Sequence, residues 1–139
     1  CHLQSSRVNE KVPILGICLG MQLMTKHSEE GRFHGFGWID AQTKKFISPS
    51  LKIPHMGWNT IRHNKSSKLF NELESEKRYY FVHNYYVEAN NDDDILTTTP
   101  YTHNFVSSFE KGNIIGCQFH PEKSHKFGMS LISNFLENY

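Results

Sequence analysis

Gly16-Ile17-Cys18-Leu19-Gly20 sets a thiol between two glycines in a G-x-C-x-G pattern. This is the cysteine counterpart of the G-x-S-x-G nucleophile elbow, in which a strand turns sharply into a helix and holds the nucleophile exposed at the turn. The flanking glycines are expected to relieve a clash where strand and helix approach closely. A cysteine at the start of a helix also meets the positive end of its dipole, which favours thiolate over thiol. The chemistry suggested is covalent attack on a carbonyl. The local pattern is equally compatible with a buried cysteine between two incidental glycines.

A nucleophilic cysteine needs a base, and the base needs an orienting group. Gln118-Phe119-His120-Pro121-Glu122 supplies a candidate at the end of an apolar run. Residues two apart in extended chain point the same way, so Glu122 can accept from one imidazole nitrogen of His120 and leave the other for the thiol. Taken by itself the triplet also reads as a turn. His27, His34, His63, His103 and His125 lie in polar stretches and read as exposed, whereas His55 and His83 sit in aromatic strands and read as structural. Cys117, His120 and His125 are the closest metal-like grouping, but no second ligand pair completes a tetrahedral set, so no metal and no cofactor are expected.

These residues need a scaffold. Val12 to Ile17 is a continuous apolar run of the kind found in central parallel strands. A helix is expected from Leu19 to Lys26, with Met21, Leu23 and Met24 mostly buried and Gly31 as the stop. Lys44 to Ile47 reads as a short strand, and Ile53 to Ile61, carrying Pro54 and Gly57, as an edge or bulge. Ser66 is a candidate N-cap for a helix through Glu76, with Leu69, Phe70 and Leu73 on one face. Arg78 to Val87 is β-rich, Asn90 to Asp94 a polar turn, and Ile95 to Thr99 a strand. Phe105 to Phe109 and Ile114 to Phe119 form a hairpin across Glu110-Lys111-Gly112-Asn113. Ser124 to Asn138 is a helix with Phe127, Leu131 and Phe135 on its apolar face, widened by Met129, Ile132 and Leu136. The expected class is α/β: one domain over residues 1–139, with parallel pairing first and antiparallel strands later. A central strand needs neighbours on both sides, so Val12 to Ile17 suggests a fragment or processed form lacking N-terminal strands.

Composition agrees with a folded domain. The 139 residues are 37% hydrophobic and 13% aromatic, enough to bury a core and unlike a disordered chain. A net charge of +1 gives no electrostatic footprint for nucleic acid or an anionic membrane. No apolar run is long enough to span a bilayer, and Cys1 to Arg7 do not resemble a signal peptide. Three cysteines, an odd and sparse count, fit free thiols in a reducing cytoplasm.

Gly16-Ile17-Cys18-Leu19-Gly20-Met21-Gln22 with Phe119-His120-Pro121-Glu122 resembles the triad (class I) glutamine amidotransferases. The blocks Pro54-His55-Met56-Gly57-Trp58-Asn59, Phe81-Val82-His83-Asn84-Tyr85-Tyr86 and Pro121-Glu122-Lys123-Ser124 look like those of the glutaminase subunits of imidazole glycerol phosphate synthases in histidine biosynthesis. The resemblance runs from Val12 to the C-terminus. It implies a mixed sheet flanked by helices and a Cys18-His120-Glu122 triad that hydrolyses glutamine to glutamate and ammonia. It also implies that the Leu19 N–H serves the oxyanion, that Gln22 and Glu30 hold the amino-acid end of glutamine, and that Asn84 and Tyr85 contact substrate through backbone. The implied partner is a (β/α)₈-barrel cyclase subunit, joined as a heterodimer through Met56, Trp58, Tyr80 and Lys123, which consumes the ammonia. Residues 1–11 contain no match to the family's Pro-Gly-x-Gly loop, and Asn84 stands where related sequences often carry Ser or Thr. Three other roles remain: a glutaminase serving sugar amidation in surface-polysaccharide synthesis, a non-catalytic partner-binding fragment, and a thiol hydrolase of peptides or esters.

Overall fold

The structure, a computed structural model, describes residues 12–31, 34–70 and 77–139. The expectations for residues 1–11 and for Leu73 lie outside that range. Strand β1 (Ile14–Ile17) runs parallel to β10 (Ile114–Cys117), with Ile14 opposite Ile114 and Ile17 opposite Cys117. β10 continues antiparallel to β9 (Asn104–Lys111) across a tight turn where Gly112 takes φ +61°. β9 also pairs with β7 (Tyr85–Ala89) and with β8 (Ile95–Pro100), and β8 carries β5 (Arg62–His63). Beyond β7 the sheet ends in β3 (Ala41–Lys45) and β2 (His27–Ser28). A separate two-stranded sheet joins β4 (His55–Thr60) to β6 (Arg78–His83). The fold is therefore α/β with one mixed sheet. Among the described residues β1 has β10 on one side and no strand on the other.

Alternation along β10 separates two cores, and the irregular register of the β8–β9 pairing lets Phe105 and Phe109, four positions apart on β9, face opposite ones. Ile115 and Cys117 join Phe81, Phe105, Phe119 and Leu131 on the face covered by helix α2 (His125–Asn138). Ile114, Val106 and Phe109 join Met21, Met24 and Ile39 on the opposite face, under helix α1 (Leu19–Leu23). A sheet covered on both faces explains why all four residues of β10 are buried, and hence why the strand reads as a continuous apolar run.

Several expected boundaries move. α1 stops at Leu23, and Leu23 is 43% exposed although Met21 and Met24 are buried. The chain leaves the helix because Thr25 Oγ1 donates to Gln22 O at 2.7 Å and Lys26 N donates to Ala41 O, which starts the β2–β3 pairing. Gly31 consequently ends no helix. The strand expected over Lys44 to Ile47 is Ala41–Lys45. Residues 68–70 form a turn and a bend, with the Leu69 N–H held at 3.0 Å by Ser67 Oγ and not by Ser66; the rest of the helix expected through Glu76 lies outside the described residues. On α2, Met129 and Leu136 are 68% and 72% exposed. Met129 lies two positions beyond Phe127, about 200° around the helix and off the buried stripe.

Candidate active site

Cys18 adopts φ 53° and ψ −105°, a left-handed backbone that a non-glycine residue rarely takes. Such strain, of order 1–3 kcal/mol, persists where the surroundings fix it. Here Cys18 N donates to Cys117 O at 2.8 Å and Gln22 N donates to Cys18 O at 3.2 Å, tying the turn to β10 on one side and to α1 on the other. A Cβ on Gly16 would lie 2.7 Å from Met24 Cε and 2.8 Å from the Gly20 carbonyl, so Gly16 is sterically required. A Cβ on Gly20 would meet nothing within 4 Å. The expected two-sided clash is therefore one-sided, because the Gly20 backbone is what presses on Gly16.

The Cys18 thiol is half-buried. Its Sγ lies 3.8 Å from Val82 O and accepts from Gln118 Nε2 at 3.6 Å. Burial pushes the thiol above its ordinary value of 9.0; the Leu19 N–H and the Gln118 amide pull it down, while the Glu122 and Glu30 carboxylates push it up. This reverses the expected preference for thiolate. A five-residue helix offers little dipole, and desolvation of the anion outweighs it.

β10 runs on into Gln118, Phe119 and His120. Gln118 N is anchored on Ser107 O at 2.8 Å, and His120 N on Tyr80 O at 2.9 Å. Phe119 points into the core and stacks on Tyr79, with centroids 4.2 Å apart. The two polar residues flanking it thereby point the other way. His120 Nδ1 meets Glu122 Oε1 at 2.5 Å. A carboxylate on Nδ1 leaves Nε2 as the nitrogen available for proton transfer. Ser124 Oγ donates to His120 O at 2.6 Å and accepts from Tyr80 N at 3.0 Å, which locks the backbone around the pair.

An open cleft of about 190 Å³ contains Cys18 together with Leu19, Gln22, Glu30, Asn84 and Tyr85 in its walls. All five residues assigned by resemblance to substrate contact thus meet the cysteine in one place. His120 and Glu122 do not line this cleft; Glu122 reaches it as a charge acting on Cys18. Gln22 is buried, and its Nε2 donates to Tyr85 O at 3.3 Å and to Gln118 Oε1 at 3.1 Å. Both amide hydrogens are thereby used, which leaves the acceptor Oε1 for a ligand. Glu30 is exposed and follows β2. A neighbouring hollow of about 240 Å³ shares Leu19, Gln22 and Glu30 and extends along Leu23 and His34.

Two contributors were not singled out by sequence reasoning. Gln118 touches the thiol, and its place just beyond the end of β10, two residues before His120, is the signal that could have found it. His83 also lines the cleft, while remaining the bonded, buried histidine expected. The described residues contain no group of three or more His, Cys, Asp or Glu arranged to hold a metal.

Met56, Trp58 and Tyr80 share the outer face of the β4–β6 sheet, with Met56 opposite Val82 and Trp58 opposite Tyr80. Met56 is 60% and Trp58 45% exposed, so Met56 and Trp58 are not core residues. Trp58 stacks on His125 at 5.4 Å and 6°, and Lys123 is exposed in the same turn as Glu122.

A strained cysteine at a strand–helix turn, above a cleft walled by Gln22 and Glu30, places the chain among α/β proteins built around a cysteine elbow. Among these, the chain belongs to the class-I glutamine amidotransferases, a family that matches residues 2–139. It is 53% identical over 136 residues to imidazole glycerol phosphate synthase subunit HisH 2 of Methanococcus maripaludis, an alignment covering 97% of this chain and 67% of that protein. It is 44% identical over 132 residues to imidazole glycerol phosphate synthase subunit HisH of Leptospira borgpetersenii, covering 92% and 65%. The chain thus spans about two thirds of the length of these curated relatives. A glutamine amidotransferase structure from Thermotoga maritima shares the fold, with a TM-score of 0.65 and 21% identity over 99% of this chain and 51% of that one. No helix among the described residues is long and apolar enough to cross a membrane.

Proposed function

We propose that the chain is the glutaminase part of an imidazole glycerol phosphate synthase in histidine biosynthesis, hydrolysing glutamine and handing ammonia to a synthase partner in the cytoplasm. The observation that carries this reading is the convergence of Cys18, Leu19, Gln22, Glu30, Asn84 and Tyr85 on one cleft. Glutamine enters with its α-ammonium towards the Glu30 carboxylate and the free Oε1 of Gln22, both acceptors.

Cys18 Sγ attacks the side-chain carboxamide carbon as His120 Nε2 takes the thiol proton. Glu122 holds the resulting imidazolium through Nδ1. The Leu19 N–H donates to the oxyanion of the tetrahedral intermediate. Collapse expels ammonia, to which His120 returns the proton, and leaves a glutamyl thioester. Water, deprotonated by His120, then releases glutamate and regenerates the thiol. The raised thiol suits this sequence, because the proton leaves only as the attack proceeds.

The proposed partner is a (β/α)₈-barrel cyclase subunit, docked as a heterodimer on the face formed by Met56, Trp58, Tyr80 and Lys123. Aromatic residues with exposed apolar surface are the composition expected of an interface centre. Cys18→Ala in the full-length protein, assayed with its partner, is expected to cut glutamate release by at least about 1,000-fold while leaving partner binding intact. Unchanged glutamate release would refute the reading.

A further inference from the structure

We propose that His55 and His83 are positioning residues for the glutamine cleft, holding it through the Tyr85 carbonyl and the Gln22 amide. The inference rests on the glutaminase reading and adds to it two histidines outside the triad.

The two imidazoles belong to an unbroken run of hydrogen bonds. Asn59 Nδ2 lies 3.1 Å from His55 Nε2, His55 Nδ1 lies 2.9 Å from His83 Nε2, and His83 Nδ1 lies 2.7 Å from Tyr85 O. Tyr85 O also accepts from Gln22 Nε2, which donates in turn to Gln118 Oε1, and Gln118 Nε2 donates to Cys18 Sγ. The run starts on β4 and ends at the thiol.

Its direction is fixed from the carbonyl end. Tyr85 O can only accept, so His83 Nδ1 carries the proton and a neutral His83 presents Nε2 as an acceptor. His55 must then donate from Nδ1, leaving its Nε2 to accept from the Asn59 amide. Each group has one permissible role, and every role is filled. Burial keeps both rings neutral, pushing His55 down to about 4 and His83 down to about 3. A buried polar network satisfied throughout is rigid, and one broken link leaves its neighbours unpaired.

The geometry directs that rigidity at substrate. Asn84 and Tyr85 form the cleft wall between β6 and β7, and His83 bonds across this bend to the Tyr85 carbonyl. With that bond in place the peptide plane is set, and Gln22 must orient its Oε1 away from Tyr85 and Gln118. Without it, the carbonyl and the Gln22 amide can turn together, and the acceptor meant for the α-ammonium is lost. Binding of the amino-acid end should suffer, while attack at the far end of glutamine should not.

The test uses the full-length protein and 6-diazo-5-oxo-L-norleucine, a glutamine analogue that alkylates the nucleophile, with iodoacetamide as a small probe that does not need the cleft. Labelling of the Cys18 peptide is followed by mass spectrometry to give KI and kinact. His55→Leu, which removes the donor to His83, is expected to raise KI five- to tenfold, the effect of about one lost hydrogen bond. Its kinact and its iodoacetamide rate should stay within about twofold. His55→Asn, whose amide keeps a donor near the Nδ1 position, should restore KI to within about twofold. An unchanged KI in His55→Leu overturns the proposal, as does a KI in His55→Asn as poor as that of His55→Leu. If His55→Leu does not fold, Asn59→Ala carries the test: a two- to threefold rise in KI supports the proposal and an unchanged KI overturns it. If the parent protein reacts with iodoacetamide but not with the diazoketone, the glutaminase reading itself fails and takes the inference with it.

Discussion

Two histidine pairs flank the same cysteine, and they are built for opposite work. His120 meets the Glu122 carboxylate at the rim, where the carboxylate is roughly half exposed. His83 meets His55 in the interior, where both are buried and neither has a carboxylate partner. In the proposed mechanism the first pair takes the thiol proton, with a carboxylate facing the imidazolium. A second imidazole in a dry site offers no such charge, so the second pair stays neutral and acts as a strut. In that mechanism a place in the cleft wall does not choose the base: His83 lines the cysteine cleft and His120, the proposed base, does not. The partner of each ring decides its role.

Exchanging the pairs is the strongest way to break this contrast. His120→Ala is expected to lower kcat for glutamine hydrolysis by about 1,000- to 10,000-fold, whereas His83→Asn, which keeps a donor towards Tyr85 O, should lower it less than about tenfold. Equal losses in steady-state assays would remove the distinction. Glu122→Gln comes next, with a fall in kcat of about 100-fold or more, because the amide holds the ring without stabilising its charge.

The buried pair makes its own prediction in stability. Histidines in the unfolded chain titrate near 6.5, while in the fold His55 and His83 are held down to about 4 and about 3. On acidification the unfolded state binds protons first, so stability is full well above pH 6.5 and declines as the pH falls towards about 4 for His55 and about 3 for His83. For His83 alone the loss reaches about 2 kcal/mol at pH 5. Urea midpoints at pH 7 and pH 5 measure it, and a His55→Leu/His83→Phe double variant should flatten the difference. The smallest effect is expected at Asn84→Ser: the side chain is exposed, so KM for glutamine should change by less than about threefold if contact is through the backbone.

Much of the site is legible in the sequence. Gly16 with Cys18, and His120 with Glu122, declare themselves because a strand–turn–helix elbow and a strand-end pair are local geometries that depend on near neighbours. The hairpin across Gly112 and the stripe Phe127–Leu131–Phe135 are readable for the same reason. What is not legible depends on distant chain. The raised thiol follows from burial by remote segments, which outweighs the dipole that the local pattern suggests. The burial of Gln22 depends on Tyr85 and Gln118, far along the chain, which take its amide hydrogens. Leu69 and Phe70 are buried, as their apolar character implies, and they reach the core from a turn. Apolar residues on α2 divide between core and solvent according to what packs beside them, so Met129 and Leu136 cannot be told from Leu131 by hydropathy.

The parallel ladder between β1 and β10 has a consequence for how this protein can change. Cys18 leaves the end of one strand, and Gln118 and His120 leave the end of its neighbour, so a single pairing register aligns groups about a hundred positions apart in the chain. Side chains alternate every residue, and a one-residue slip would send Gln118 and His120 into the core and bring Phe119 out to the thiol. Deleting or inserting one residue in either strand should therefore abolish function outright, whereas two-residue changes keep the facing. Such a site cannot be adjusted by degrees from its own strands; variation has to enter through the loops that wall the cleft, where Glu30 and Asn84 sit.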